Sequence, residues 1–187
     1  MAVPGYNRAW AVGDVSYTYQ VCTRYGCFPH FSDKPLVEFW PLYGGWGIVA
    51  SPNLNLNAGL SGVASIPTTL TAWAVGSGTP GNAATLIEKW NGPSWAVVAS
   101  PYVGNLSDVA ATGPTNAWAV GDNSSTLAMH WNGTSWSVVT TPNAGVYGSA
   151  LYGVATTPGS VYLWAVGTYL TSANGNTFRP LAELLHC

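Results

Sequence analysis

The pentapeptide Ala-Trp-Ala-Val-Gly stands at residues 9–13, 72–76 and 117–121, and returns as Leu-Trp-Ala-Val-Gly at 163–167. Its tryptophans, Trp10, Trp73, Trp118 and Trp164, are 63, 45 and 46 residues apart. Other words recur around it in fixed order. Before it come "LSGVASIPTTLT" (60–71), "LSDVAATGPTN" (106–116) and "LYGVATTPGSVY" (151–162). After it come "LVEFW" (36–40), "LIEKW" (86–90), "LAMHW" (127–131) and "LAELL" (181–185). Last come "GWGIVASP" (45–52), "SWAVVASP" (94–101) and "SWSVVTTP" (135–142).

Each word reads as a strand: five to seven residues rich in Val, Trp, Ile and Leu, bounded by Pro, Gly and Asn. No amphipathic helical stretch appears. Asn91-Gly92 and Asn132-Gly133 separate the third and fourth words, and Asn-Gly predicts a tight type I′ hairpin with positive φ at both centres. Short connections throughout predict an antiparallel meander. Four strands per period of about 40–50 residues mark a propeller blade. The expected fold is therefore an all-β propeller or propeller segment of about four blades, one domain over 1–187, with blades near 1–52, 60–101, 106–142 and 151–187. Met1-Ala2-Val3 aligns with Val109-Ala110-Ala111, so the first blade starts inside its first strand. The fourth blade lacks its outer strand. "LAELL" would then be an open apolar edge. A strand from a neighbouring chain, or the N-terminal segment, is expected to cover it.

In a strand alternate residues face opposite sides. Trp10 and Val12 point one way, Ala9, Ala11 and Gly13 the other. Each blade so has a bulky and a shallow face, and stacking fits one into the other. Trp10, Trp73, Trp118 and Trp164 are expected to be structural, buried between blades.

The strand order, the WAVG strand and a Gly-containing turn before a Trp resemble the bacterial propeller repeats related to Asp-box (sialidase-like) and photosystem-assembly-factor repeats. The resemblance covers nearly the whole chain and implies the propeller fold. The Asp-box pattern, Ser-x-Asp-x-Gly-x-x-Trp, is only partly met: "HWNGTSW" has Asn132 where that motif has Asp. It does not carry the family's activities over.

Composition narrows the function. Charged residues are 6% of the chain, against about 25% in ordinary soluble domains. Ten Trp and ten Tyr argue against disorder. A net charge of −2 leaves no basic patch for phosphates, so nucleic acid is not an expected partner. No apolar run reaches the ~18 residues of a membrane helix. A surface of Asn, Ser, Thr and Tyr suits an extracellular or cell-surface protein. The stretch "MAVPGYNRAW" has neither the charged region nor the apolar region of a signal peptide.

The variable connections between second and third strands, 14–35, 77–85, 122–126 and 168–180, are where binding is expected. The first is the outlier: "DVSYTYQVCTRYGCFPHFSDKP". Cys22 and Cys27 can close a disulfide around Tyr25-Gly26, remain thiols, or join His30 in a Cys-x4-Cys-x2-His metal site. Structural zinc takes four ligands and no second pair exists, which favours the disulfide and no metal. Cys187 is left over and could bridge two chains. Tyr17, Tyr19, Tyr25, Phe28, His30 and Phe31, with Tyr169, Asn174, Asn176, Phe178 and Arg179 of the fourth loop, offer an aromatic and amide-rich surface for a glycan. Aromatics packed down to hold a long loop are the competing expectation.

Enzyme readings fare badly, and no cofactor is expected. Glu38, Glu88 and Glu183 share one repeat position, and Asp14 and Asp122 another. A glycosidase needs two carboxylates converging on one bond, whereas a ring spreads equivalent positions apart. The sequence points to a non-catalytic structural or interaction protein that self-associates through its incomplete blade ends, by ring completion or polymerisation. The alternative is a lectin-like module using the loops.

Overall fold

A computed structural model describes residues 8–41, 43–52, 57–78, 84–101, 104–142, 144–145, 147–156, 160, 162–173 and 177–186. Among them every regular element is a strand. Sheet one holds β1 (Ala9–Thr23), β2 (Gly26–Trp40) and β3 (Gly47–Val49). Sheet two holds β4 (Ala58–Ser65), β5 (Ala72–Gly78), β6 (Ala84–Trp90) and β7 (Trp95–Val97). Sheet three holds β8 (Asn105–Gly113), β9 (Asn116–Asp122), β10 (Thr126–Trp131) and β11 (Trp136–Val139). Sheet four holds β12 (Ser149–Thr156), β13 (Leu163–Leu170) and β14 (Phe178–Leu185). All pairings are antiparallel between sequence neighbours, so each sheet is a meander.

The sheets stack in chain order, and the pentapeptide governs each junction. Trp10, Val12 and Val37 of sheet one pack on Ala72, Ala74 and Leu60 of sheet two. Trp73, Val75 and Ile87 of sheet two pack on Ala117, Ala119 and Leu127 of sheet three. Trp118, Val120 and Ala128 of sheet three pack on Leu163, Ala165 and Leu151 of sheet four. Alanine on the receiving face lets the sheets approach while tryptophan fills the gap, which gives dense packing without charge.

The glycine that ends the pentapeptide has a separate cause. The first strand of sheets two, three and four carries a bulge at one repeat position, Leu60/Gly62, Leu106/Asp108 and Leu151/Gly153. The bulged strand presses on the second. A Cβ at Gly76, Gly121 or Gly167 would fall on the carbonyl oxygen of Gly59, Asn105 or Ala150. At the bulge of sheet three, Asp108 accepts from the Val154 amide of sheet four at 2.9 Å, a polar tie across the junction.

Three expectations need correction. Residues 14–35 are no loop: β1 and β2 run on in register from Ala9–Trp40 to Thr23–Gly26 as one hairpin. Val15, Tyr17, Tyr19 and Val21 alternate with Ser16, Thr18 and Gln20, a period-two signal that the Cys, Gly and Pro residues obscured. The Asn-Gly turns are not type I′. Gly92 and Gly133 have positive φ, of 110° and 97°, but Asn91 and Asn132 do not. Each Asn side chain instead accepts from the Ser94 or Ser135 amide and closes a four-residue loop between Trp90 and Trp95 or Trp131 and Trp136. The third concerns Trp164. Trp10, Trp73 and Trp118 are buried, whereas Trp164 is 57% exposed, because among the described residues no further sheet covers its side of sheet four.

Candidate interaction faces

In sheets one, two and three the residue opposite the pentapeptide tryptophan covers its ring. Phe39 lies 4.4 Å from Trp10, Lys89 Nζ 4.8 Å from Trp73 and His130 4.7 Å from Trp118, between centroids or from the cation to the centroid. Leu184 takes this place opposite Trp164. For Trp10 and Trp73 the next sheet closes the other side with two more tryptophans, whereas Trp118 meets Leu151, Leu163 and Leu185 of sheet four. Trp10 meets Trp90 and Trp95, each at 5.1 Å. Trp73 meets Trp131 at 5.0 Å and Trp136 at 5.1 Å.

Sheet one has the same receiving pair, Trp40 and Trp46, edge to face at 5.5 Å. Here it stands 41% and 38% exposed, with no sheet packed on it among the described residues. This is the head face. Strand alternation and register put Ala9, Ala11, Glu38 and Leu36 on it, and carry it along the hairpin through Lys34, Tyr17, Tyr19 and His30. Tyr17 and Tyr19 stack at 5.9 Å, His30 lies 5.8 Å from Tyr19, and Lys34 sits 4.7 Å from the Tyr17 ring. The opposite end of the stack is the tail face: Trp164, Val166, Leu184, Ala182 and Phe178, with Tyr152 bonded to Thr168 at 3.2 Å. All five, and Tyr152, are exposed. The side chains that the register sets on this face are uncharged.

The predicted aromatic residues divide between these ends. Tyr17, Tyr19, Tyr25, Phe28, His30 and Phe31 are all exposed, so they do not pack down on the scaffold. Phe31 points to the other side of the hairpin, and Tyr25 sits in its turn beneath Arg24 at 4.7 Å. Tyr169, Phe178 and Arg179 belong to sheet four, with sheets two and three between them and the hairpin. Tyr169 and Phe178 line a cleft of about 330 Å³ with Tyr147 and Tyr152. Asn174, Asn176 and Cys187 lie outside the described residues, as do Met1-Ala2-Val3. Cys22 and Cys27 face each other across the hairpin and form a disulfide. That consumes both thiols of the metal reading, and no cluster of three or more His, Cys, Asp or Glu occurs among the described residues. β14 is paired on one side only among the described residues.

The shared glutamate position was legible; its environment was not. Glu88 is fully buried at the junction of sheets one and two. Ser51, just beyond β3, donates to its two oxygens at 2.9 and 3.0 Å. Burial pushes its carboxyl up to about 7 against the opposing pull of Ser51. Glu183 is buried at the junction of sheets three and four. Neither of its oxygens finds a hydrogen-bond partner among the described residues, and burial raises its carboxyl too. Glu38 occupies the same position on the open head face and is half-buried. Burial also pushes the imidazole of His130 down.

No protein-family model matches this chain, and no curated protein matches it. Among the described residues no helix is long and apolar enough to cross a membrane.

Proposed function

We propose that this chain is a non-catalytic interaction protein, an arc of propeller blades that associates with itself through its two incomplete end sheets. The carrying observation is Trp164. Its three counterparts are buried between sheets, while it stands 57% exposed on an uncharged apolar face. An apolar face of this kind is uncommon on a monomer and marks a contact site. The disulfide at the hairpin tip supports an extracellular or cell-surface setting. Sedimentation of the wild type over a range of concentrations tests the reading. Species above the 19.6 kDa monomer are expected, and Trp164→Gln should remove them. A wild type that stays monomeric throughout would rule the reading out.

The exposed, stacked Tyr17–Tyr19 pair supports a second reading, a lectin-like module in which sugar rings stack on the hairpin. Glycan-array binding that Tyr17→Ala and Tyr19→Ala abolish would favour it. A silent array would remove it.

A further inference from the structure

We propose that the tail face of one copy packs on the head face of the next in the register of the internal junctions, and that this fourth junction closes on a protonated Glu38. The inference rests on the self-association reading above and adds its partner, register and control.

The partner is a second copy because the two open faces are the unmatched halves of a tryptophan junction the chain builds twice, between sheets one and two and between sheets two and three. Leu184 stands opposite Trp164 in the register, but among the described residues no receiving pair meets Trp164. Trp40 and Trp46 form a receiving pair that holds no incoming tryptophan among the described residues. Seating Trp164 on them repeats the contacts of Trp10 with Trp90 and Trp95 and of Trp73 with Trp131 and Trp136. The contact is heterologous, head to tail, so it propagates into a chain or closes a ring.

Glu38 sits on the receiving face where Glu88 and Glu183 sit on theirs. Both of those are buried once a neighbouring sheet covers them. The hydroxyl that serves Glu88 comes from Ser51, just past the last strand of sheet one. Sheet four has no corresponding strand among the described residues, so no hydroxyl in the place of Ser51 would reach Glu38. Among the described residues, the titratable groups facing it from the incoming copy would be Tyr152, Tyr162 and His186, with no carboxylate, lysine or arginine. Among the described residues, the other titratable groups that the β1–β2 register sets on its own face are Lys34, His30, Tyr17 and Tyr19, all farther out along the hairpin. An ionised carboxylate without a partner is costly to bury, so the junction takes up a proton.

One proton per junction limits the effect to about a tenfold gain in association constant for each pH unit of acidification. Sedimentation of the wild type, Glu38→Gln and Trp164→Gln from pH 5 to pH 8 tests this. Glu88 and Glu183 are common to all three, so their titration cancels in the comparison. The wild type should associate more strongly toward pH 5, Glu38→Gln equally at every pH, and Trp164→Gln at none. Wild-type pH dependence that persists in Glu38→Gln would overturn the proton linkage and leave self-association standing. So would a Glu38→Gln chain that does not associate where the wild type does. Association unchanged by Trp164→Gln would overturn the register. A wild type monomeric at every pH would overturn both this inference and the reading beneath it.

Discussion

Trp73 and Trp131 meet edge to face across a sheet boundary, their ring centroids 5.0 Å apart. Trp73 belongs to the second strand of one sheet and Trp131 to the third strand of the next, so the contact joins two repeats rather than strengthening one. The stack is therefore held between sheets by the residue that recurs most faithfully along the chain. Substituting such a residue measures a junction. Trp118→Ala should cost about 3–5 kcal/mol by urea denaturation, as truncation of a buried tryptophan does. Trp164→Ala, at a face without a neighbour, should lie within about 0.5 kcal/mol of the parent when measured on monomer. Equal losses at the two positions would mean that the junctions are not what the tryptophans stabilise.

The terminal glycine of the pentapeptide gives a sharper test. A Cβ at Gly121 would overlap the Asn105 carbonyl oxygen, and backbone cannot yield as a side-chain tip can. Gly121→Ala is expected to lose about 2 kcal/mol or more by forcing β8 and β9 apart. At Gly113 a Cβ meets nothing within 4 Å, so Gly113→Ala should be close to neutral. Comparing the two urea midpoints separates close strand approach from a general cost of replacing glycine in a strand.

What could be read from the residues was what alternation and recurrence encode. Trp and Val alternate with Ala through the pentapeptide, and that alone sorts the bulky from the receiving face. The bulge at Leu106/Asp108 is different. It depends on a pairing partner, so the crowding it imposes on Gly121 is invisible in a single strand. Trp164 carries the same local pattern as Trp118 and differs only by its place at the end of the stack, a fact of order rather than of local chemistry. The hairpin was legible in principle. Val15, Tyr17, Tyr19 and Val21 keep a strict period of two, and Pro29 and Pro35 lie on the strand that flanks it. Glu88 and Glu183 showed their shared position in the sequence, but a raised carboxyl comes from burial by the neighbouring sheet.

Glu88 makes stability depend on pH. In the folded chain it holds its proton up to about pH 7, against an ordinary value of 4.5. Between these values the folded state carries a proton that the unfolded state has released, so stability falls as pH rises from about 4.5 to about 7 and then levels. At ~1.4 kcal/mol for each tenfold change in proton affinity, the loss is on the order of 3 kcal/mol. Glu183 acts in the same direction. His130, held below its ordinary 6.5, works the other way toward acid, because its folded form resists protonation. Glu88→Gln should therefore flatten the decline between pH 5 and pH 7 without removing it, read from urea midpoints at each pH. A decline as steep as the parent's would show that Glu88 ionises normally inside the junction.

The disulfide should matter to the hairpin more than to the stack. Cys22 and Cys27 pair directly across β1 and β2 and enclose only Thr23, Arg24, Tyr25 and Gly26. The loop closed is short, so the chain-entropy model gives about 2 kcal/mol, and that constraint acts on the hairpin tip. The three hydrophobic clusters that join the sheets include no residue between Asp14 and Pro35. A double variant, Cys22→Ser with Cys27→Ser, should keep the near-ultraviolet signature of the packed tryptophans while its tip opens more often. Arg24 lies exposed in that turn and offers trypsin a site. Cleavage after Arg24 is expected to quicken by at least tenfold in the variant, with cleavage elsewhere unchanged. If the tryptophan signature collapses along with the tip, the hairpin is a working part of the stack and not an extension carried by it.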